Sequence, residues 1–87
     1  MLYMISYDLN APSSNREAVE ESIKSLGTWC KYLTTTFLVK SDLSHEQVNQ
    51  IALSNLDSND KIIVCKVEKP IFGKLTQKQW DWINTNL

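Results

Sequence analysis

The 87 residues include only two glycines, two prolines, two cysteines, one histidine and one arginine. Each scarcity removes a class of chemistry. With Gly27 and Gly73 alone there is no glycine-rich loop to cradle a phosphate. His45 stands at the start of a helix with no Ser, Cys or acid paired to it by spacing, so it reads as exposed and inert. Cys30 and Cys65 are far apart, show no CxxC spacing and lie in strand-like apolar surroundings. They read as reduced core residues, and the chain has almost no material for a zinc site or a nucleophilic triad. No apolar run reaches the roughly 18 residues needed to span a bilayer. The amino terminus also lacks a basic region followed by an apolar stretch with a cleavage site, so a cytoplasmic protein with no membrane partner is expected. Neither sign of charge prevails: nine Lys and Arg stand against ten Asp and Glu, for a net charge of −1. That balance argues against strong non-specific binding to nucleic acid, which draws on many phosphate contacts. Lys61, Lys66, Lys69, Lys74 and Lys78 cluster late with only Glu68 between them, and read as a solvated surface.

What is present suits one small folded domain spanning residues 1–87, with 43% hydrophobic and 22% charged residues and no linker, repeat or low-complexity tract. Three helix starts carry the Ser/Thr-x-x-Glu/Gln pattern in which side chains satisfy free amides: Ser14–Glu17, Ser44–Gln47 and Thr76–Gln79. Val19, Ile23 and Leu26 recur at helical spacing after the first, and Gly27 ends that segment. Val48, Ile51, Ala52 and Leu56 form the stripe of the second, which Leu43 can staple by contact with Val48. Leu75 can staple the third through Trp80, and Trp80, Ile83 and Leu87 share a face that Trp82 does not. Strand-like runs cover residues 2–7, 27–40 and 61–67. The middle run is too long for one strand and is expected to be a hairpin turning near Leu33–Thr34. Asp57-Ser58-Asn59-Asp60 is a turn cluster.

The order is β-α-β-β-α-β plus a terminal helix. With right-handed crossovers this predicts an α+β, ferredoxin-like antiparallel sheet, strand order 4-1-3-2, with two helices on one face and an extra C-terminal helix. The strands do not alternate cleanly between apolar and polar. Leu2 and Met4 oppose Tyr3 and Ile5, Leu38 opposes Phe37 and Val39, and Ile63 and Cys65 oppose Ile62 and Val64. Both faces therefore need cover, since each aliphatic side chain buried contributes about 1.5–3 kcal/mol and monomers rarely expose large apolar patches. The terminal helix or a second subunit could supply it, and a symmetric sheet-to-sheet homodimer is the favoured expectation. Tyr3, Tyr7, Trp29 and Phe37 could stack bases, as in RNA-recognition modules of the same element order. The Gly/aromatic signature of the third strand is missing, so core or dimer packing is expected of them.

Tyr7-Asp8-Leu9 closing the first strand, Leu26-Gly27, Thr36-Phe37-Leu38-Val39 and Asp60-Lys61-Ile62-Ile63-Val64 together resemble the small CRISPR-associated endoribonuclease superfamily. This is the group of the integration-complex small subunit, to which VapD-like toxins are related. Leu56-Asp57-Ser58-Asn59-Asp60-Lys61 and the Trp-rich terminal helix are similar to its short SinR-like ferredoxin-like branch. The resemblance spans nearly the whole chain. It implies a ferredoxin-like homodimer in which the aspartate ending the first strand meets its twin across the dimer axis. There the pair could hold Mg²⁺ and act as a metal-dependent endonuclease on RNA or DNA phosphodiesters. It also implies that an integrase or toxin–antitoxin partner is to be looked for. Asp8 is the residue matching that position, as both catalytic and metal-binding group. Two juxtaposed carboxylates repel, and a hard divalent cation is their natural bridge. The sequence departs from the family in two places. The first helix reads Arg16-Glu17-Ala18-Val19-Glu20-Glu21 where integration subunits are basic, and the hairpin ends in Lys40 where they tend to end in an acid.

Asp8 has a plainer reading as a turn-initiating aspartate bonding an amide near Ala11. Two functions follow from the two readings: a metal-dependent endonuclease built on paired Asp8, or a non-catalytic nucleic-acid- or protein-binding assembly module on the same scaffold.

Overall fold

The structure is a computed structural model that describes residues 1–10 and 12–87, with the side chains of residues 11–14 outside the description. It is α+β: β1 (Leu2–Asp8), α1 (Pro12–Lys24), β2 (Thr28–Leu33), β3 (Thr36–Lys40), α2 (His45–Leu53), β4 (Lys61–Lys66) and α3 (Gln77–Asn86). The four strands form one antiparallel sheet in the order β2-β3-β1-β4, the expected order read from the other edge. The hairpin turns at Thr34–Thr35, one residue later than expected, and β2 carries an irregularity between Lys31 and Leu33.

Alternation along the strands sorts side chains onto two faces. Tyr3, Ile5 and Tyr7 of β1 join Phe37 and Val39 of β3 on the first face. Val19 and Ile23 of α1 and Val48 of α2 close over them in one buried cluster. Ile62 and Val64 of β4 pack at its margin. Leu2 of β1, Leu38 of β3 and Ile83 of α3 form a second cluster on the opposite face, with Met4, Tyr32, Val67, Ile71, Leu75, Trp80 and Trp82 packed against it. The sheet is thus covered on both sides by its own chain, the second side by α3 and the segment leading into it. Trp82, expected off the apolar stripe, belongs to this cover, whereas Leu87 is exposed.

The local signals act as their chemistry dictates. The Ser44 hydroxyl accepts from the Gln47 amide at 3.2 Å while the Gln47 side chain accepts from the Ser44 amide at 3.1 Å. Thr76 and Gln79 repeat the exchange at 3.2 and 3.0 Å. The first helix differs from expectation: it begins at Pro12, two residues before Ser14, because proline's fixed φ and missing N–H suit a first helical position. The Ser14 cap falls on a side chain outside the described residues. Gly27 is required by space rather than by φ, since a Cβ there would stand 2.0 Å from the Lys40 carbonyl oxygen, where the chain entering β2 crosses the end of β3.

Candidate functional site at the end of β1

Asp8 is the last residue of β1 and is exposed. By alternation it falls on the second face, in line with Leu2, Met4 and Ser6. In register beside it on β4 is Lys61, and beside Ser6 stand Thr36 on β3 and Ile63 on β4. The Ser6 and Thr36 hydroxyls are 3.0 Å apart. The cover supplied by α3 reaches the Leu2–Met4 end of this face. At the Asp8 end Ile63 remains 58% exposed, and Leu33, in register with Thr36, 56%. The second face is therefore half closed, and Asp8 lies in the open half.

The chain leaving β1 is fixed just beyond Asp8. The Asn10 amide donates to Asp60 Oδ1 at 2.8 Å, and the Asp57 amide donates to Asp60 Oδ2 at 2.8 Å. These two amides, the Asp57 one first, hold the Asp60 carboxyl below its usual pKa. The Asp57–Asp60 turn thus ties the exit of β1 to the entry of β4 and positions both Asp8 and Lys61. The turn role considered for Asp8 toward Ala11 lies outside the described residues.

A polar cluster that the sequence did not reveal sits on the other side of Tyr7. The Glu20 carboxylate on α1 accepts from the Tyr7 hydroxyl, from Lys31 Nζ at 2.8 Å and from Arg16 Nε at 3.3 Å. Its side chain is 15% exposed. Burial pushes its pKa up, but the hydrogen bonds from Lys31, Tyr7 and Arg16 and the Lys31 charge outweigh burial and lower it to about 2. Tyr7 moves the other way, pushed up to about 12 by burial and then by the Glu20 carboxylate. Arg16, the one arginine, also donates to the Thr34 carbonyl at 2.7 Å. Its guanidinium clamps α1 to the β2–β3 turn. The spacing of Arg16 and Glu20, four apart on one helix, was the available signal; Tyr7 and Lys31 reach them only through the fold.

Tyr7, Asp8, Leu9, Arg16 and Thr35 line a hollow of about 170 Å³. Within one chain this donor set does not fit a divalent cation. Among the described residues Asp8 is the one carboxylate lining the hollow, with the Arg16 cation in the same wall and Lys61 in register on the adjoining strand. Among the described residues no three His, Cys, Asp or Glu side chains gather into a metal-sized group. Mg²⁺ binds through carboxylates and retained waters, and neighbouring cations oppose it. His45 is exposed beside Glu46, and Cys30 and Cys65 are free and half-buried. Of the aromatics weighed as base-stacking groups, Tyr3, Tyr7 and Phe37 are buried. Trp29 is partly exposed, with its ring edge-on to Phe37 and Lys24 Nζ 4.7 Å above it.

No helix among the described residues is long and apolar enough to cross a membrane. Set against known proteins, the chain matches no protein-family model and no curated protein.

Proposed function

We propose that this chain is a ferredoxin-like domain of the small CRISPR-associated endoribonuclease kind, cytoplasmic and homodimeric, in which two copies meet at the open half of the second sheet face and bring their Asp8 carboxylates together. The observation that supports this reading most directly is the position of Asp8. It is exposed, at the strand end the resemblance singles out, on the part of the sheet that α3 leaves bare, one step along β4 from exposed Ile63. The dimer rests on that uncovered half alone, since the chain's own helix closes the rest. One chain does not fit Mg²⁺, so any metal-dependent cleavage of RNA or DNA on this scaffold depends on the pair.

The test combines activity with assembly. Purified protein incubated with Mg²⁺ or Mn²⁺ and labelled RNA or DNA is expected to cut, and Asp8→Ala to lose at least about a hundredfold of that rate while still sedimenting at twice the chain mass. Cleavage unchanged in Asp8→Ala would place the activity elsewhere. A monomer across a dilution series would remove the paired carboxylates.

A second reading, a non-catalytic module that binds nucleic acid, an integrase or a toxin–antitoxin partner, is favoured by a specific observation. Lys61 stands in register beside Asp8, which suits a polar docking surface better than a cation site. No cleavage of either nucleic acid under any divalent metal, with the dimer intact, selects that reading.

A further inference from the structure

The cover over the closed half of the second face is not solid. Between the sheet and the segment that leads into α3 lies a hollow of about 370 Å³, and most of its wall is apolar. Met4 and Leu38 line it from the sheet, Trp80 and Ile83 from α3, and Val67 and Leu75 from the segment between. The volume and lining are those of a small-molecule site, in which a few polar groups set the orientation of an otherwise greasy ligand.

Two polar groups reach this hollow. The Tyr32 hydroxyl donates to the Met4 sulfur at 3.3 Å, a weak acceptor that an oxygen anion would displace. Burial pushes the Tyr32 pKa up, so it remains a protonated donor at neutral pH. Lys74, at the rim, is exposed and supplies a positive charge. Phe72 borders the same hollow and is 89% exposed, an aromatic ring that an occupant would cover. Gly73, next in the chain, stands in open space, with nothing within 4 Å of where a Cβ would lie.

We propose that this hollow is a binding site for a small hydrophobic acid, its apolar body between sheet and α3 and its carboxylate held by the Tyr32 hydroxyl and the Lys74 ammonium. The site does not include Asp8, although Leu33 at the edge of the open half belongs to its wall; the inference does not depend on the proposed nuclease or dimer. Charge complementarity selects the ligand class: an uncharged alkyl group gains only the apolar contacts, whereas a carboxylate also gains charge-assisted hydrogen bonds.

Calorimetric titration of the full chain with decanoate, below micelle-forming concentrations, and with decanol as its uncharged counterpart tests the assignment. Decanoate is expected to saturate at one site per chain and to bind roughly tenfold or more tightly than decanol. Lys74→Gln and Tyr32→Phe should each bring decanoate toward decanol and leave decanol unchanged. Leu75→Trp, which fills the hollow from its half-buried edge, should abolish both. Should that variant fail to fold, the two polar variants still decide the matter. Equal affinity for acid and alcohol, no saturable binding, or wild-type binding by folded Leu75→Trp would each overturn the site. So would binding only to anionic lipid vesicles, which would assign Phe72 and Lys74 to a membrane surface. A self-association that blocks decanoate and vanishes in Phe72→Ala would instead make the occupant a second copy and end the proposal.

Discussion

The two faces of the sheet are covered by the same chain in different ways. On the first, α1 and α2 close over Tyr3, Ile5, Phe37, Val39, Val19, Ile23 and Val48 so completely that these side chains are at most 1% exposed. On the second, the buried apolar side chains among the described residues are Leu2, Leu38 and Ile83, ringed by half-buried Met4, Tyr32, Val67, Trp80 and Trp82, with a hollow left beneath. The difference follows from how each cover is connected. The helices of the first face are crossovers between strands and are held at both ends. The third helix does not bridge two strands; it follows β4 through an irregular segment from Val67 to Thr76. A cover packed loosely beyond a long irregular segment should open at lower free energy than one packed densely between two strands.

The largest effect should therefore separate the faces. Phe37→Ala removes a ring that is fully buried and in contact with Trp29 and Tyr7, and is expected to cost about 3–5 kcal/mol of global stability. Ile83→Ala in the second cluster should cost about 2 kcal/mol or less, because the neighbouring hollow shows a site already incompletely packed. Chemical denaturation of both variants reads the two values. Equal losses would mean that α3 is as much a part of the cooperative core as α1 and α2.

The next effect lies where the first face meets solvent. Glu20 joins α1 to β1 and β2 through Tyr7, Arg16 and Lys31. Its folded pKa of about 2 is below the unfolded value of 4.5, so its contribution is present above pH 4.5 and is lost as the pH falls toward 2. Glu20→Gln should lower stability near neutral pH by about 1–2 kcal/mol after allowance for solvent screening. It should also flatten the acid limb of the stability–pH curve between those values. An acid limb identical to that of the parent protein would show that the carboxylate does not titrate with folding. The second face shows no comparable ion pair among the described residues; exposed Lys66–Glu68, at 2.8 Å, falls on the first-face side, where Lys66 is in register with Tyr3.

The same contrast explains which parts of the molecule were legible beforehand. Strand order, both described capping boxes and the division of β1, β3 and β4 into two apolar faces could be read from residues 2–8, 36–40 and 61–66, because period-two patterning and caps are local signals. The absence of clean alternation also pointed correctly to a need for cover on both faces. It favoured a second copy as that cover, whereas α3 closes the Leu2–Met4 end, because the outcome depends on where the Val67–Thr76 segment carries Trp80, Trp82 and Ile83. No periodicity encodes that path. The start of α1 was misplaced for a local reason: Ser14 and Glu17 satisfy the capping pattern, yet Pro12 opens the helix. At the candidate site, Asp8 was visible as a carboxylate at a strand end. The companions that define its surroundings were not, since Lys61 arrives by strand pairing and Arg16 by helix packing.

The finest test of the two covers uses one motif placed in both. Ser44 and Thr76 cap α2 and α3 with the same reciprocal bonds to Gln47 and Gln79, at nearly the same distances. Replacing either by alanine removes one amide's partner and costs the helix about 1 kcal/mol. If α2 unfolds only with the whole molecule, Ser44→Ala should lower global stability by that amount and accelerate hydrogen exchange throughout the first cluster. If α3 opens by itself, Thr76→Ala should leave the denaturation midpoint almost unchanged and speed exchange only from Trp80 to Asn86. The chemistry removed is the same at both positions, so a difference between the two exchange patterns measures the coupling of each cover to the sheet. Matching patterns would show that the loosely packed α3 is coupled to the sheet as firmly as α2.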